Sequence, residues 1–455
     1  MFEDTIAAIS TAWGEAGIAI VRLSGPEAIT IAEQVFEGLV PLSQTPPRYM
    51  RNGFIKDPGG NSLDKVLAVW FRAPKSYTGE DVAEIHCHGG TLIAQRCLEL
   101  LLCAGARHAE PGEFTKRAFL NERIDLSQAE AVIGLIRSKS EEALRSAART
   151  LKGELSDFVK SNYEEILNIS AKLEVGLDFP EEDIPYVENE EVFSGIFAVK
   201  QSMEDLLDRC QTGLLISEGI RVALIGRPNV GKSSLLNSFL REARAIVTSI
   251  PGTTRDVIEE VITYRGVPLR IVDTAGIGTP SDEVEAIGVE RAEKEMTRAE
   301  VRLWVIDGSE KLSADDHRLA EKISDLSHII VINKADLPLV VTEEDIRELL
   351  PISQVFIISA KENMGIDKIK DEIVSTVAGS GSLDAGLNAT SRQINEISGT
   401  LSSLKDALEA LEVGLGQDIA ASCLYESRTS LEKLLGISWD DRLLDTVFSQ
   451  FCVGK

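Results

Sequence analysis

The chain has 455 residues and a formal net charge of −26, so it exceeds one ordinary domain and is too acidic overall to sheathe a nucleic acid across its whole surface. The start, Met1-Phe2-Glu3-Asp4, is acidic, and the apolar runs Ile6–Ile9 and Leu100–Ala106 are short, which argues against a secretory leader and a bilayer span and leads us to expect a cytoplasmic enzyme or switch. Cys87, Cys97, Cys103, Cys210, Cys423 and Cys452 form no CxxC pair, so reduced thiols are expected.

In chain order, residues 1–120 read as one compact α+β unit. Gly17–Pro26 reads as a strand ending in a turn, Ala28–Phe36 as a helix, Lys65–Phe71 and Val82–His88 as strands, and Thr91–Ala104 as a helix. His86-Cys87-His88-Gly89-Gly90 suits a strand end running into a Gly turn better than a metal site, because no second ligand cluster is near in sequence. Tyr77-Thr78-Gly79-Glu80-Asp81 reads as a turn, and Pro111-Gly112 as punctuation before a helix that carries Lys116-Arg117.

From Ser127 the pattern is helical. Leu144, Ala147, Leu151, Leu155, Phe158, Ile166, Ile169 and Leu173 recur at three- or four-residue steps, and Phe179-Pro180-Glu181-Glu182-Asp183-Ile184-Pro185 breaks them. A helix over 189–212 follows, with Gly213 and Ser217-Glu218-Gly219 marking the border of the next domain. After Gly379-Ser380-Gly381-Ser382, the residues Ile394, Ile397, Leu401, Leu404, Leu408, Leu411 and Leu415 form a second apolar seam. The expectation is a helical bundle in two parts, 121–215 and 379–455, with a nucleotide domain at 216–378 inserted between them.

That inserted domain carries the chemistry. Gly226-Arg227-Pro228-Asn229-Val230-Gly231-Lys232-Ser233 fits the phosphate-loop pattern G-x-x-x-x-G-K-[ST], between the apolar run Arg221–Ile225 and the helical run Ser234–Leu240. Its glycines let backbone N–H groups wrap a phosphate, Lys232 reaches the β- and γ-phosphates, and the Ser233 hydroxyl ligates Mg²⁺. Pro251-Gly252-Thr253-Thr254-Arg255-Asp256 supplies a threonine for Mg²⁺, and Asp273-Thr274-Ala275-Gly276 an Asp that holds the ion through water and a Gly that senses the γ-phosphate. In Asn333-Lys334-Ala335-Asp336 the Asp336 carboxylate can accept both the N1–H and the 2-amino group of guanine, which adenine lacks, and Ser359-Ala360-Lys361 offers a backbone N–H to the guanine O6. Five such stretches in this order specify a Ras-like GTP site. Small signalling GTPases place Gln directly after D-x-x-G to orient the attacking water; here Ile277 offers no polar side-chain atom, so another group must do so.

The chain resembles the MnmE (TrmE) family of tRNA-modification GTPases over essentially its whole length. The resemblance rests on Asp4–Ile9, Tyr77–Asp81, His88–Gly90, Pro111–Thr115, Ala118–Asn121, Gly226–Ser234, Gly252–Asp256 and the terminal Phe451-Cys452-Val453-Gly454-Lys455. It implies an N-terminal folate-binding-like α+β domain, a helical bundle and a GTPase domain, acting as a homodimer with MnmG (GidA), in a heterotetramer or larger complex, on tRNA. The implied reaction adds a carboxymethylaminomethyl group at carbon 5 of the wobble uridine, with 5-formyl- or 5,10-methylene-tetrahydrofolate as one-carbon donor. It places the folate contacts on Arg22, Glu84, Arg123 and Lys455; the sequence by itself equally allows surface ion pairs at these positions. It implies K⁺ in place of an arginine finger, held by Asn229, Thr248, Ile250 and Thr253, with Mg²⁺ on Ser233, Thr254 and, through water, Asp273. The implied GTP contacts are Asn229, Val230, Gly231, Lys232, Ser233, Ser234, Thr248, Thr253, Thr254, Asp273, Thr274, Ala275, Gly276, Asn333, Lys334, Asp336, Ser359, Ala360 and Lys361.

Three residues are expected in catalysis: Lys232, Glu285 and Cys452. Glu285 matches the residue that orients water, although by itself it reads as a solvated helix-start carboxylate, and Cys452 is open between chemistry and packing. The sequence departs from the family's usual pattern at Thr11–Gly17, which lacks a Pro-rich basic version, and at Arg123, where many relatives have Lys. The alternative is a ribosome-assembly switch of the Era or Der type, but Era needs a C-terminal KH domain, whose GxxG loop with flanking basic strands is not found there, and Der needs a second phosphate loop, where the sequence has one.

Overall fold

The computed structural model describes residues 3–178, 189–242, 259–273, 294–378 and 386–455. They fall into two compact units, one of residues 1–136, 150–203 and 395–455 and one of 137–149 and 204–394.

In the first unit, β1 (Ile6–Ile9), β2 (Ala16–Ser24), β3 (Phe36–Gly38), β4 (Arg51–Lys56), β5 (Ser62–Phe71), β6 (Val82–Gly89) and β7 (Arg107–His108) form a sheet in the order β3-β4-β5-β6-β2-β1-β7. All neighbours are antiparallel except β1 and β7. Strand alternation sorts the side chains: Val21, Leu23, Ala83, Ile85 and Cys87 are buried with Ile31 and Ala32 of α1 (Ala28–Val35) and Cys97 and Leu101 of α2 (Thr91–Cys103). Arg22, Glu84 and His86 alternate onto the other face, with Arg22 opposite Glu84 in the β2–β6 register. The strands expected at 17–26, 65–71 and 82–88 are present, whereas β3, β4 and the first residues of β5 were not foreseen. In β4 only Gly53 and Ile55 are buried, so its sequence carries almost no apolar alternation.

Helices α3 (Glu113–Leu120), α4 (Leu126–Arg137), α5 (Glu141–Leu151), α6 (Glu154–Asp178) and α7 (Asn189–Glu218) follow. The continuous stripe expected from Leu144 onward is interrupted at Gly153, which adopts φ +101° between α5 and α6. Leu144 is exposed, while its neighbour Ala143 is buried with Ile216 and Val222; on α6 Leu155, Val159, Ile166 and Leu173 are fully buried. The expected end at Thr212 is also wrong. Gly213 lies inside α7, where a Cβ would meet the Leu387 carbonyl oxygen at 1.8 Å, so this glycine marks a close backbone approach and not a domain border.

The second unit holds β8 (Ile220–Ile225), α8 (Lys232–Glu242), β9 (Glu259–Tyr264), β10 (Val267–Asp273), β11 (Val301–Asp307), α9 (Ala314–Ile323), β12 (His328–Asn333), α10 (Glu343–Leu349), β13 (Val355–Ile357) and α11 (Ile366–Ala378). The sheet order is β13-β12-β11-β8-β10-β9, parallel except for the β9–β10 pair. Val222 and Leu224 pack with Leu235 and Phe239 of α8 and Ile369 and Ile373 of α11, while Ala223 and Ile225 pack with Leu319 and Ile323 of α9 and Ile346 of α10. Both faces of β8 are therefore covered, which is why it reads as an unbroken apolar run, and each such Leu or Ile stabilises the fold by about 1.5–3 kcal/mol.

The C-terminal helices are α12 (Ser391–Glu412), α13 (Gln417–Leu435) and α14 (Asp441–Phe448). On α12 the expected seam is buried from Ile397 to Leu411, but Leu415 lies beyond the helix end and is exposed. α13 packs along α6, and the Tyr163 hydroxyl donates to Glu432 Oε1 at 2.9 Å. Among the described residues no helix is long and apolar enough to cross a membrane.

Candidate functional site

The carboxyl ends of the parallel strands gather the nucleotide motifs, as expected for an open α/β sheet. Gly226–Gly231 connects β8 to α8, and Asp273, Asp307 and Asn333 end β10, β11 and β12. Within the loop Gly231 adopts φ +102°, and a Cβ there would stand 2.2 Å from Asn333 Nδ2, so only glycine fits. Asn333 Nδ2 donates to the Val230 carbonyl at 2.9 Å and its Oδ1 accepts from Ala360 N–H at 3.0 Å. One buried amide thus ties the phosphate loop to the Ser359-Ala360-Lys361 loop. Ser238 of α8 adds a second tie, donating to the Ala360 carbonyl at 2.7 Å.

Lys232 begins α8 and is buried. Its ammonium donates to the carbonyls of Gly226 and Arg227 at 2.7 and 2.9 Å, curled over the loop whose N–H groups and helix dipole suit a phosphate. Burial pushes its pKa down, an effect partly offset by the charge of Asp273. The Ser233 hydroxyl donates to Asp273 Oδ2 at 3.3 Å, and Asp273 Oδ1 is buried without a hydrogen-bond partner among the described residues. Val230 is buried, while Asn229, with φ 65°, and Ser234 are exposed.

Asp336 accepts from the Ser359 hydroxyl at 2.7 Å, and Lys361 Nζ lies 3.9 Å from its other oxygen. The Ser359 bond first, then the Lys361 and Lys334 charges, hold the Asp336 carboxyl below its usual range. Lys334 sits at φ 66° and pairs with Asp307, a buried carboxylate that the sequence reading did not single out. Thr248, Ile250, Thr253, Thr254, Thr274, Ala275, Gly276, Ile277 and Glu285 lie outside the described residues.

In the first unit Arg22 Nε donates to Glu84 Oε1 at 2.8 Å, and the Arg22 guanidinium lies 5.7 Å from the Tyr77 ring centroid and 5.8 Å from that of Phe114. Glu84 Oε2 is 3.2 Å from His86 Nε2, and this partner with Arg22 outweighs burial to hold the Glu84 carboxyl low. Arg123 is exposed; its side chain runs past Gly79, where a Cβ would meet Arg123 Cγ at 3.2 Å.

The C-terminal segment returns to the sheet. Val453 bridges Pro111, and Gly454, at φ +93°, lies so close to β1 that a Cβ would meet the Ile9 carbonyl oxygen at 2.2 Å. Ala8, one residue earlier, is the β1 partner of Arg22, so the tail carrying exposed Cys452 and half-buried Lys455 ends beside the Arg22–Glu84 strands. Beneath lies a network the sequence did not reveal. Fully buried Arg117 reaches Glu80 at 3.2 Å, Asp4 at 2.7 Å and Glu113 at 3.0 Å, and Arg107 joins Asp4 and Glu113. Among the described residues no group of three or more His, Cys, Asp or Glu could hold a metal ion; His86 and His88 instead face Glu84 and Asp64.

Residues 5–123 match the family model described as the GTP-binding protein TrmE N-terminus, and residues 126–452 match that of the MnmE helical domain. The chain is 44% identical to the tRNA modification GTPase MnmE of Enterococcus faecalis, covering 99% of this chain and 98% of the relative. The proteins of the same name from Oceanobacillus iheyensis and Lactiplantibacillus plantarum are 43% and 42% identical, covering 99% of this chain and 99% and 98% of theirs. An Aquifex aeolicus Era structure is 27% identical over 40% of this chain and 66% of its own, with a TM-score of 0.30, too low to carry an argument.

Proposed function

This chain belongs to the tRNA modification GTPase MnmE family, and on that premise we propose that it hydrolyses GTP and acts in tRNA modification. The observation that carries the GTP reading is the gathering, at the carboxyl ends of one parallel sheet, of Lys232, the Ser233–Asp273 pair, the Asn333 tie and the Ser359-braced Asp336. The loop N–H groups and Lys232 bind and orient the β- and γ-phosphates, exchanging the Lys232–carbonyl contacts for phosphate oxygens. The Asp336 carboxylate selects guanine, and the Ser359 hydroxyl that donates to it holds its carboxyl below the usual range. An Asp273 oxygen that is buried and has no hydrogen-bond partner among the described residues, beside the Ser233 hydroxyl, fits a hard divalent cation. Ser233 and Thr254 would hold Mg²⁺, with Asp273 acting through water, and the ion would neutralise phosphate charge.

The finer reading is a K⁺-dependent GTPase. Asn229 offers an accessible amide oxygen at the lip of the loop, and Thr248, Ile250 and Thr253 would complete the shell. Glu285 would orient the water that Ile277 cannot. The Arg22–Glu84 pair, with Arg123 and the tail bearing Lys455, supports tetrahydrofolate binding: cations for its glutamate tail and a carboxylate for the pterin N–H groups. Action on the wobble uridine with MnmG, as a homodimer in the cytoplasm, completes the proposal. The family matches on both sides of the nucleotide domain support this reading over an Era- or Der-type switch. GTP turnover by the purified protein in KCl and in NaCl tests it: faster turnover in KCl is expected, equal rates contradict the cation claim, and no turnover in either contradicts the GTPase claim.

A further inference from the structure

We infer that Asp316 is a positioning residue for the phosphate loop, acting through Arg227 on the backbone that holds Lys232. Asp316 belongs to a capping box in which Ser313 N–H and Oγ both donate to its Oδ2 at 2.8 Å, closing the start of α9. Capping alone does not require burial. The same box, Thr342 with Asp345, closes α10 with its carboxylate exposed. Asp316, by contrast, is fully buried, and Oδ2 stands 2.9 Å from Nε of Arg227, the second residue of the phosphate loop. The Arg227 carbonyl in turn accepts from Lys232 Nζ at 2.9 Å. Side chain and main chain of one loop residue therefore link a buried carboxylate to the phosphate-binding ammonium. The same β11–α9 segment starts with Asp307, which pairs with Lys334 on the base side. The segment thus braces both ends of the site, so that the loop is set before nucleotide arrives.

The inference rests on the guanine-nucleotide reading of the loop. Its test is the affinity of the full chain for fluorescent GDP across wild type, Asp316→Asn, Arg227→Gln and the double variant, with melting temperature followed in parallel. Asp316→Asn keeps an amide oxygen for Ser313 and removes the charge, and Asp345→Asn makes the same change in the solvated box. Each of the first two single variants is expected to weaken binding about tenfold, with the double variant no weaker than either single and Asp345→Asn unchanged. Wild-type affinity in Asp316→Asn, or losses that multiply in the double variant, overturns the inference. Should Asp316→Asn melt before it binds, Arg227→Gln on its partly exposed side chain decides alone: weakened binding supports the link and wild-type affinity overturns it. Wild-type protein that binds no GDP refutes the nucleotide reading itself.

Discussion

Gly231→Ala puts the geometry of the phosphate loop to its hardest test. At φ +102° an alanine is strained by about 1–3 kcal/mol. Its Cβ would also stand 2.2 Å from Asn333 Nδ2, so Asn333 must move and leave the Val230 carbonyl, adding about 1–3 kcal/mol for a buried group left unpaired. The sum is about 2–6 kcal/mol, and the lower bound already corresponds to a loss of about 30-fold in nucleotide affinity where the loop absorbs it. Titration with fluorescent GDP, alongside a thermal melt, reads how that sum divides between binding and stability. Asn333→Ala removes the clashing amide, so the Gly231→Ala/Asn333→Ala double variant should lose less than the product of the two single losses. A Gly231→Ala protein with wild-type affinity within twofold and an unchanged melt refutes the reasoning, and a fully multiplicative double variant refutes the placement of the clash on Asn333.

Arg117→Met leaves the buried Glu80 carboxylate without its cation, while Asp4 and Glu113 keep Arg107, and should destabilise the protein by about 3–5 kcal/mol in urea unfolding; a loss below about 1 kcal/mol contradicts the network. In Asp4 and Glu113, burial by itself would raise the carboxyl pKa, but Arg107 and Arg117 outweigh it and hold both below their ordinary values of 3.8 and 4.5. Their contribution is therefore complete above those values and is lost as pH falls through the depressed ones. Arg107→Gln should move the acid unfolding limb to higher pH, and an unmoved limb counts against it. Ser359→Ala removes the first support of ionised Asp336, so GDP binding should fail at a higher pH than in wild type as acid is added. Gly454→Ala pushes the tail off the Ile9 carbonyl and should weaken 5-formyltetrahydrofolate binding in calorimetry while GTP turnover stays within about twofold; unchanged folate affinity separates the tail from that site.

The candidate nucleotide site was legible as a pattern because its chemistry is local: a loop must wrap a phosphate within a few residues, and Gly226–Ser233 carries that constraint in its spacing. Apolar alternation likewise revealed β2 and β6, and the seam on α12 needed correction only at Leu415. What stayed hidden depends on partners distant in sequence. Gly213 looked like punctuation because nothing nearby shows that the Leu387 backbone packs against it, and Arg117 read only as half of a basic pair in a helix because Asp4 and Glu80 reach it from distant parts of the chain. The Ser313–Asp316 capping box and its burial against Arg227 come from the structure alone. The β2–β6 register, which sets Arg22 against Glu84, follows from strand pairing and not from spacing along the chain.

The central claim, that GTP turnover at this phosphate loop serves tRNA modification, meets its most direct test in the mass of the wobble uridine of bulk tRNA. The measurement compares cells lacking the gene with the same cells carrying wild-type protein or Lys232→Ala. Loss of the carboxymethylaminomethyl mass in the deletion, its return with wild type and its absence with Lys232→Ala are predicted. Unchanged modification in the deletion, or full rescue by Lys232→Ala, would contradict the account.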